Sequence, residues 1–126
     1  MTQSNQNVSL DYDAIVVGAG IAGLYQLYKL REIGMKVRLF EAGTGVGGTW
    51  YWNRYPGARF DSESYSYAYS FSEELLEEWD WSEHFASQPE ILRYLQHVAS
   101  KFDLIKDIQF SSDVQSARYN EDTRTW

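Results

Sequence analysis

Apolar and polar positions along the chain change period several times, and each period predicts an element. Ala14 to Val17 is an unbroken apolar run after polar Asp13, the pattern of a strand covered on both faces. It gives way to Gly18-Ala19-Gly20-Ile21-Ala22-Gly23. Leu24, Leu27, Tyr28 and Leu30 then recur at helical spacing as far as Gly34, a residue suited to a left-handed helix stop. Val37, Leu39 and Phe40 predict a second strand, with Glu41 at its C-terminal end. From Ser62 to Phe71 the pattern alternates, Tyr65, Tyr67, Tyr69 and Phe71 against Ser64, Ser66, Ala68 and Ser70, which predicts an extended segment with one aromatic face. Ser72 caps a short helix running to Trp79, with Glu73 and Glu74 in its first turn.

Ser87-Gln88-Pro89-Glu90 reads as a capping box with proline in the first turn. The helix it opens carries Ile91, Leu95, Val98 and Phe102 on an apolar stripe and Arg93, Gln96 and Lys101 off it, the pattern of core packing. Ile108 to Phe110 and Val114 to Tyr119 predict strands, Asn120 to Thr123 a turn, and Arg124 to Trp126 the start of another strand. A chain stopping inside a hairpin is expected to be a piece of a longer protein. The polar N-terminus lacks a basic start and an apolar core segment, so it is expected to be a loose tail over 1–11, with one domain over 12–126.

Between Ala42 and Phe60 no period holds. Five of the nine glycines fall in this stretch, with Gly47-Gly48 as a second point of close backbone approach and Pro56-Gly57 as a turn. A loop this long is usually functional. Aromatic residues make up 17% of the chain, and 12 of the 21 lie between Trp50 and Phe85, a concentration that suits a cleft for a planar ring system. The net charge of −7 argues against nucleic acid and anionic membrane partners. With no cysteine, thiol catalysis, thiolate metal sites and disulfides are excluded. His84 and His97 have no metal-site spacing, and His97 reads as a surface residue. A soluble, cytoplasmic protein is the expectation.

Strand, glycine turn, helix, strand and acid together predict dinucleotide binding. Gly18 allows the tight turn, Gly20 lets backbone approach a pyrophosphate, and Gly23 lets helix and strand pack closely. The helix N-terminus offers free N–H groups and a positive dipole end to the phosphates. Glu41 stands eighteen positions after Gly23, near the spacing of about 20 expected of a ribose-binding acid. A carboxylate there repels a 2′-phosphate, so the first site suits FAD or NAD. The bland alternative is an ordinary crossover whose glycines only relieve crowding.

Gly47-Gly48-Thr49-Trp50-Tyr51-Trp52-Asn53-Arg54-Tyr55-Pro56-Gly57-Ala58-Arg59-Phe60-Asp61 resembles the type I Baeyer–Villiger monooxygenases, particularly their phenylacetone and steroid branch, with cyclohexanone monooxygenase-like relatives. The likeness runs from about Tyr12 to the C-terminus. It implies an incomplete Rossmann-like, three-layer ββα FAD-binding domain of the two-dinucleotide-domain flavoprotein type. In that arrangement helices lie on one face of a parallel sheet and a small antiparallel β-meander on the other.

The implied activity is NADPH- and O2-dependent conversion of ketones to esters or lactones through a C4a-peroxyflavin. The resemblance implies that Gly18, Gly20 and Gly23 hold the pyrophosphate and Glu41 the adenosine ribose, with Ala22 also among the cofactor-binding residues. Gly48, Thr49 and Trp50 line the flavin, Tyr67 contacts the cofactor and Val114 meets the adenine through its backbone. Arg59 faces the nicotinamide cofactor, and Asp61 is the acid nearest the reacting centre. The second glycine fingerprint, the active-site arginine and the family's linker motif are absent from this chain, so alone it is expected to be inactive.

Other readings stay open. Asp61 could pair structurally with Arg54 or Arg59, since a buried carboxylate must be paired, protonated or exposed. Tyr51 and Trp52 suit the hydrophobic core better than flavin contact. A nitrogen- or sulfur-oxygenating flavin monooxygenase is disfavoured by the W-Y-W-N-R-Y-P-G stretch. A non-catalytic nucleotide-binding module and a plain NAD dehydrogenase complete the set.

Overall fold

The computed structural model describes residues 8–126, so most of the expected tail lies outside the described residues. β1 (Ala14–Val17), α1 (Ile21–Glu32) and β2 (Val37–Phe40) form the predicted crossover. β1 and β2 pair in parallel, with Val16 opposite Leu39, which a short hairpin cannot achieve and a crossover helix can. α1 stops as its sequence requires: Gly34 takes φ +88°, and the Met35 N–H returns to the Leu30 carbonyl at 3.0 Å. Four more helices follow, α2 (Thr49–Trp52), α3 (Ser64–Tyr67), α4 (Glu73–Glu78) and α5 (Gln88–Lys101). A 3₁₀ turn at Ile105–Asp107 leads into β3 (Ile108–Gln109), parallel to β2, and gives the sheet order β1-β2-β3.

Strand alternation sends Val16, Val37, Leu39 and Ile108 to one face, where all four are buried. They share a core with Leu24 and Leu27 of α1 and with Ile91, Leu95 and Val98 of α5, the stripe expected of that helix. The opposite face differs from expectation. Ile15 is 48% and Val17 65% exposed, so β1 is covered on one face only. An apolar run shows that both sides of a strand shun water but not what will cover each side. The β-meander is likewise not found among the described residues. Val114 to Tyr119 is exposed and irregular, and a single antiparallel bridge joins Asn120 to Thr125. Nothing beside that segment offers a ladder to pair with.

The alternating stretch from Ser62 to Phe71 is not one extended strand. Ser64 to Tyr67 is a helical turn, and the chain extends only from Ala68. The buried Ser64 hydroxyl explains the turn: it donates toward the Glu83 and His84 carbonyls at 2.8 and 3.0 Å and accepts from the Ala86 N–H at 2.9 Å. These bonds substitute for a ladder. Tyr65 consequently faces solvent while Tyr67 is half-buried, so the tyrosines do not share one face.

The capping box at α5 is also not formed. The Ser87 side chain makes no capping bond, and Glu90 is buried with its carboxylate accepting from the Ser82 N–H, at 2.8 Å, and from the Ser82 hydroxyl. Ser72, by contrast, caps α4 by accepting from the Leu75 N–H at 3.2 Å.

Candidate dinucleotide site

The loops that leave β1, β2 and β3 meet at the C-terminal edge of the sheet, the place where open α/β folds bind ligands. Gly18, at φ +94°, bends the chain off β1, and its N–H bonds the Phe40 carbonyl at 2.8 Å. A Cβ on Gly23 would lie 1.8 Å from the Gly18 carbonyl oxygen, so only glycine lets α1 sit this close to the turn. As the first turn of a helix, the Ile21, Ala22 and Gly23 N–H groups have no intrahelical acceptor and carry the positive end of the dipole.

Glu41 is the hub of this edge. It is 5% exposed, and its carboxylate accepts from the Ala19 N–H at 2.9 Å and the Gly43 N–H at 2.5 Å. Its main chain donates to the Gln109 carbonyl at the end of β3 and accepts from the Ser112 N–H in the loop that follows. One side chain therefore clamps the glycine turn to the following loop while leaving lone pairs for further donors.

The Gly47-Gly48 loop docks directly on the glycine turn. The Gly47 N–H bonds the Ala19 carbonyl at 2.9 Å, and a Cβ on Gly48 would lie 2.8 Å from the Gly20 Cα. Gly48 also takes φ +54°. Gly20 thus serves backbone packing against Gly48 as well as openness of the turn. Thr49 is exposed at the start of α2.

Trp50, next to it, is half-buried. Its indole N–H donates to the Tyr67 hydroxyl at 3.1 Å, and its ring meets Phe60 edge-on at 5.3 Å. Phe60 stacks against Tyr67 at 4.0 Å, which closes a three-ring wall. Tyr51 packs against Gly43 and Gly45, and its hydroxyl bonds Thr44. Trp52 is 60% exposed rather than in the core, because the one-turn α2 has a single inward side and Tyr51 and Trp50 occupy it.

Asp61 is exposed and has no ion pair among the described residues. The structural pairings considered for it do not form. The Arg59 guanidinium donates to Glu83 at 2.7 Å and to the Phe85 carbonyl at 2.9 Å, while Arg54 donates to the Tyr51 carbonyl. Val114 is 37% exposed in the irregular segment after β3.

An open groove of about 340 Å³ flanks the first turn of α1, between Ile21, Ala22 and Tyr25 on one side and Ala68 to Phe71 on the other. Across it the Tyr69 hydroxyl donates to the Ile21 carbonyl, and burial holds that phenol well above the usual tyrosine range. Tyr69, Ser64 and Gln88 all brace the site and none was legible as such in the sequence. Their partners lie nineteen or more positions away, so no spacing rule announces them.

A family model described as an NAD(P)-binding Rossmann-like domain matches residues 16–78, which run from the second half of β1 through α1 and β2 to the clamp and the docked glycine loop. The chain belongs to this family. Within it, the Rossmann-like domain is similar to acetone monooxygenase (methyl acetate-forming) of Gordonia sp., at 54% identity over 90% of this chain and 21% of the relative. It is 52% identical to the phenazine N-monooxygenase of Lysobacter antibioticus over 95% of this chain and 22% of that protein. Among solved structures, OTEMO in complex with FAD and NADP superposes with a TM-score of 0.88 at 51% identity, over 93% of this chain and 22% of that one.

The chain thus spans about a fifth of the length of the relatives it matches. The resemblance to Baeyer–Villiger monooxygenases is upheld by these neighbours. A relative named as an N-monooxygenase matches over 95% of this chain, so overall likeness does not by itself separate ketone from nitrogen oxidation. No helix among the described residues is long and apolar enough to cross a membrane.

Proposed function

We propose that this chain is the FAD-binding part of an NADPH- and O2-dependent monooxygenase that converts ketones to esters or lactones. The observation that carries the reading is the clamp: a buried Glu41 carboxylate ties the glycine turn to a second glycine loop, whose next residues raise a wall of Trp50, Phe60 and Tyr67. The residues fit a flavin nucleotide. The Gly18–Gly23 turn and the first N–H groups of α1, including that of Ala22, receive the pyrophosphate. Glu41 keeps lone pairs for the ribose hydroxyls. Gly48, Thr49, Trp50 and Tyr67 border the ring, and Val114 offers backbone to the adenine. Arg59 and Asp61 are both exposed, and this reading assigns Arg59 to the nicotinamide cofactor and Asp61 to the neighbourhood of the reacting centre.

Bound FAD supplies the redox chemistry, accepting electrons from NADPH and activating O2. The chain's own contribution is to bind, orient and shield. The helix end would neutralise phosphate charge, the aromatic cluster would help keep water from a bound flavin, and Asp61 would supply a negative charge that orients a cationic partner. The ketone reading rests on relatives such as acetone monooxygenase, and cytoplasmic residence belongs to the same proposal. Oxidation of an aromatic nitrogen is the second reading, favoured by the phenazine N-monooxygenase likeness.

One experiment separates them. The whole protein is purified, its visible flavin spectrum recorded, and NADPH oxidation followed with a ketone or an N-heteroarene, with product masses. Ester or lactone formation supports the first reading and N-oxide formation the second. A protein with no flavin band, even after incubation with FAD, overturns both.

A further inference from the structure

We infer that Gln88 is a positioning residue for the aromatic wall, joining the two loops that frame the ring; the inference rests on the flavin reading above. Gln88 is the first residue of α5 and is 7% exposed, an unusual place for a primary amide. Its Nε2 donates to the Trp50 carbonyl at 2.5 Å, and its main-chain N–H donates to the Ala58 carbonyl at 2.8 Å. The Phe60 N–H in turn bonds the Ala86 carbonyl at 3.0 Å, so the segment leading to Asp61 lies alongside the entry to α5.

The need for the amide follows from α2. A helix of four residues keeps a single main-chain bond to its own carbonyls, from the Asn53 N–H to the Thr49 carbonyl, and leaves its later carbonyls without intrahelical partners. The Thr49 carbonyl is met by Asn53 and that of Tyr51 by Arg54, both local, whereas that of Trp50 is met from α5. The bond is part-buried, where an unmet carbonyl is costly, so it holds the height and tilt of α2. The Trp50 indole, bonded to Tyr67 and set against Phe60, moves with it. Gln88 therefore holds Trp50 and the Asp61 segment to one rigid helix without touching the cofactor.

The test uses the whole protein with Gln88→Met, which keeps the length without a donor, and Gln88→Glu, which faces the carbonyl with a carboxylate at pH 8 and regains an O–H donor when protonated. The fluorine resonance of 5-fluorotryptophan at position 50, assigned by its loss in Trp50→Phe, reads the wall without FAD. FAD titration of the apoprotein reads the site. The expected result is a moved Trp50 resonance in both variants, with the FAD dissociation constant raised about tenfold in Gln88→Met and further in Gln88→Glu at pH 8. Lowered thermal stability with unchanged FAD affinity would mean a merely structural residue and overturn the inference. So would a Trp50 resonance that stays in place. A wild-type protein that takes up no FAD overturns the flavin reading, and the purpose assigned to Gln88 with it, whereas unchanged affinity in variants of an FAD-binding protein overturns only Gln88.

Discussion

Gly23→Ala isolates what the glycine turn is for. Alanine is the better helix former by about 1 kcal/mol, so on propensity alone the change should stabilise α1. The structure predicts the opposite. The new Cβ would lie 1.8 Å from the Gly18 carbonyl oxygen and 2.9 Å from its carbon, both main-chain atoms that no rotamer change can move. Non-bonded carbon and oxygen sit about 3.3 Å apart, so helix or turn must shift by about 1.5 Å. Overpacking of this kind costs about 3 kcal/mol, leaving a net loss of about 2 kcal/mol once propensity is offset. In a two-state unit of 126 residues that lowers Tm by roughly 8 °C, and by less in a longer protein that unfolds as one unit.

The assay is thermal unfolding of the whole protein with and without FAD, beside Gly34→Ala as control. Gly34 has φ +88° and nothing within 4 Å of an added Cβ, so its cost is only the backbone strain of about 1 kcal/mol. Because the displaced turn also receives the phosphates, Gly23→Ala should lose FAD and Gly34→Ala should keep it. A Gly23→Ala protein as stable as wild type would refute the close-packing argument, and one that also retained FAD would refute the placement of the pyrophosphate.

Further outcomes follow from the same geometry. Glu41→Gln turns an amide N–H₂ toward the Ala19 or Gly43 N–H, so it should cost about 1–3 kcal/mol and lower the flavin content of the purified protein; unchanged flavin content would count against the ribose assignment. Asp61→Ala alters an exposed side chain and should change stability by less than about 0.5 kcal/mol, while slowing oxygenation at least about tenfold with FAD still bound; steady-state kinetics and flavin absorbance decide it.

The hydrogen bonds of His97 and then Lys101 hold the Glu78 carboxyl below its usual 4.5. That contribution is present above pH 4.5 and disappears as pH falls through the depressed value. Glu78→Gln should therefore flatten the acid limb of a stability–pH curve, and an identical limb in the variant would exclude the clasp between α4 and α5.

The sequence by itself determined the elements whose cause is local. The crossover was readable because its periods are strong and its stop, Gly34, is a backbone requirement. The acid at the end of β2 was readable because a fixed spacing places it, and the α5 stripe because helical geometry does. The aromatic-rich loop was recognisable as a whole, which is why the likeness to flavin monooxygenases surfaced from fifteen consecutive residues.

Tertiary structure decided everything that depends on a distant partner. Ser64 turned an alternating strand pattern into a helical turn because residues 83–86 came within reach of its hydroxyl. Glu90 left its capping position for Ser82, and Arg59 went to Glu83 instead of Asp61. Val114 to Tyr119 stayed irregular because no neighbouring strand among the described residues offered a ladder. A local pattern records what a residue prefers, but a buried polar group goes to whichever donor or acceptor the fold brings to it. In this domain that rule set both the clamp at Glu41 and the tie at Gln88.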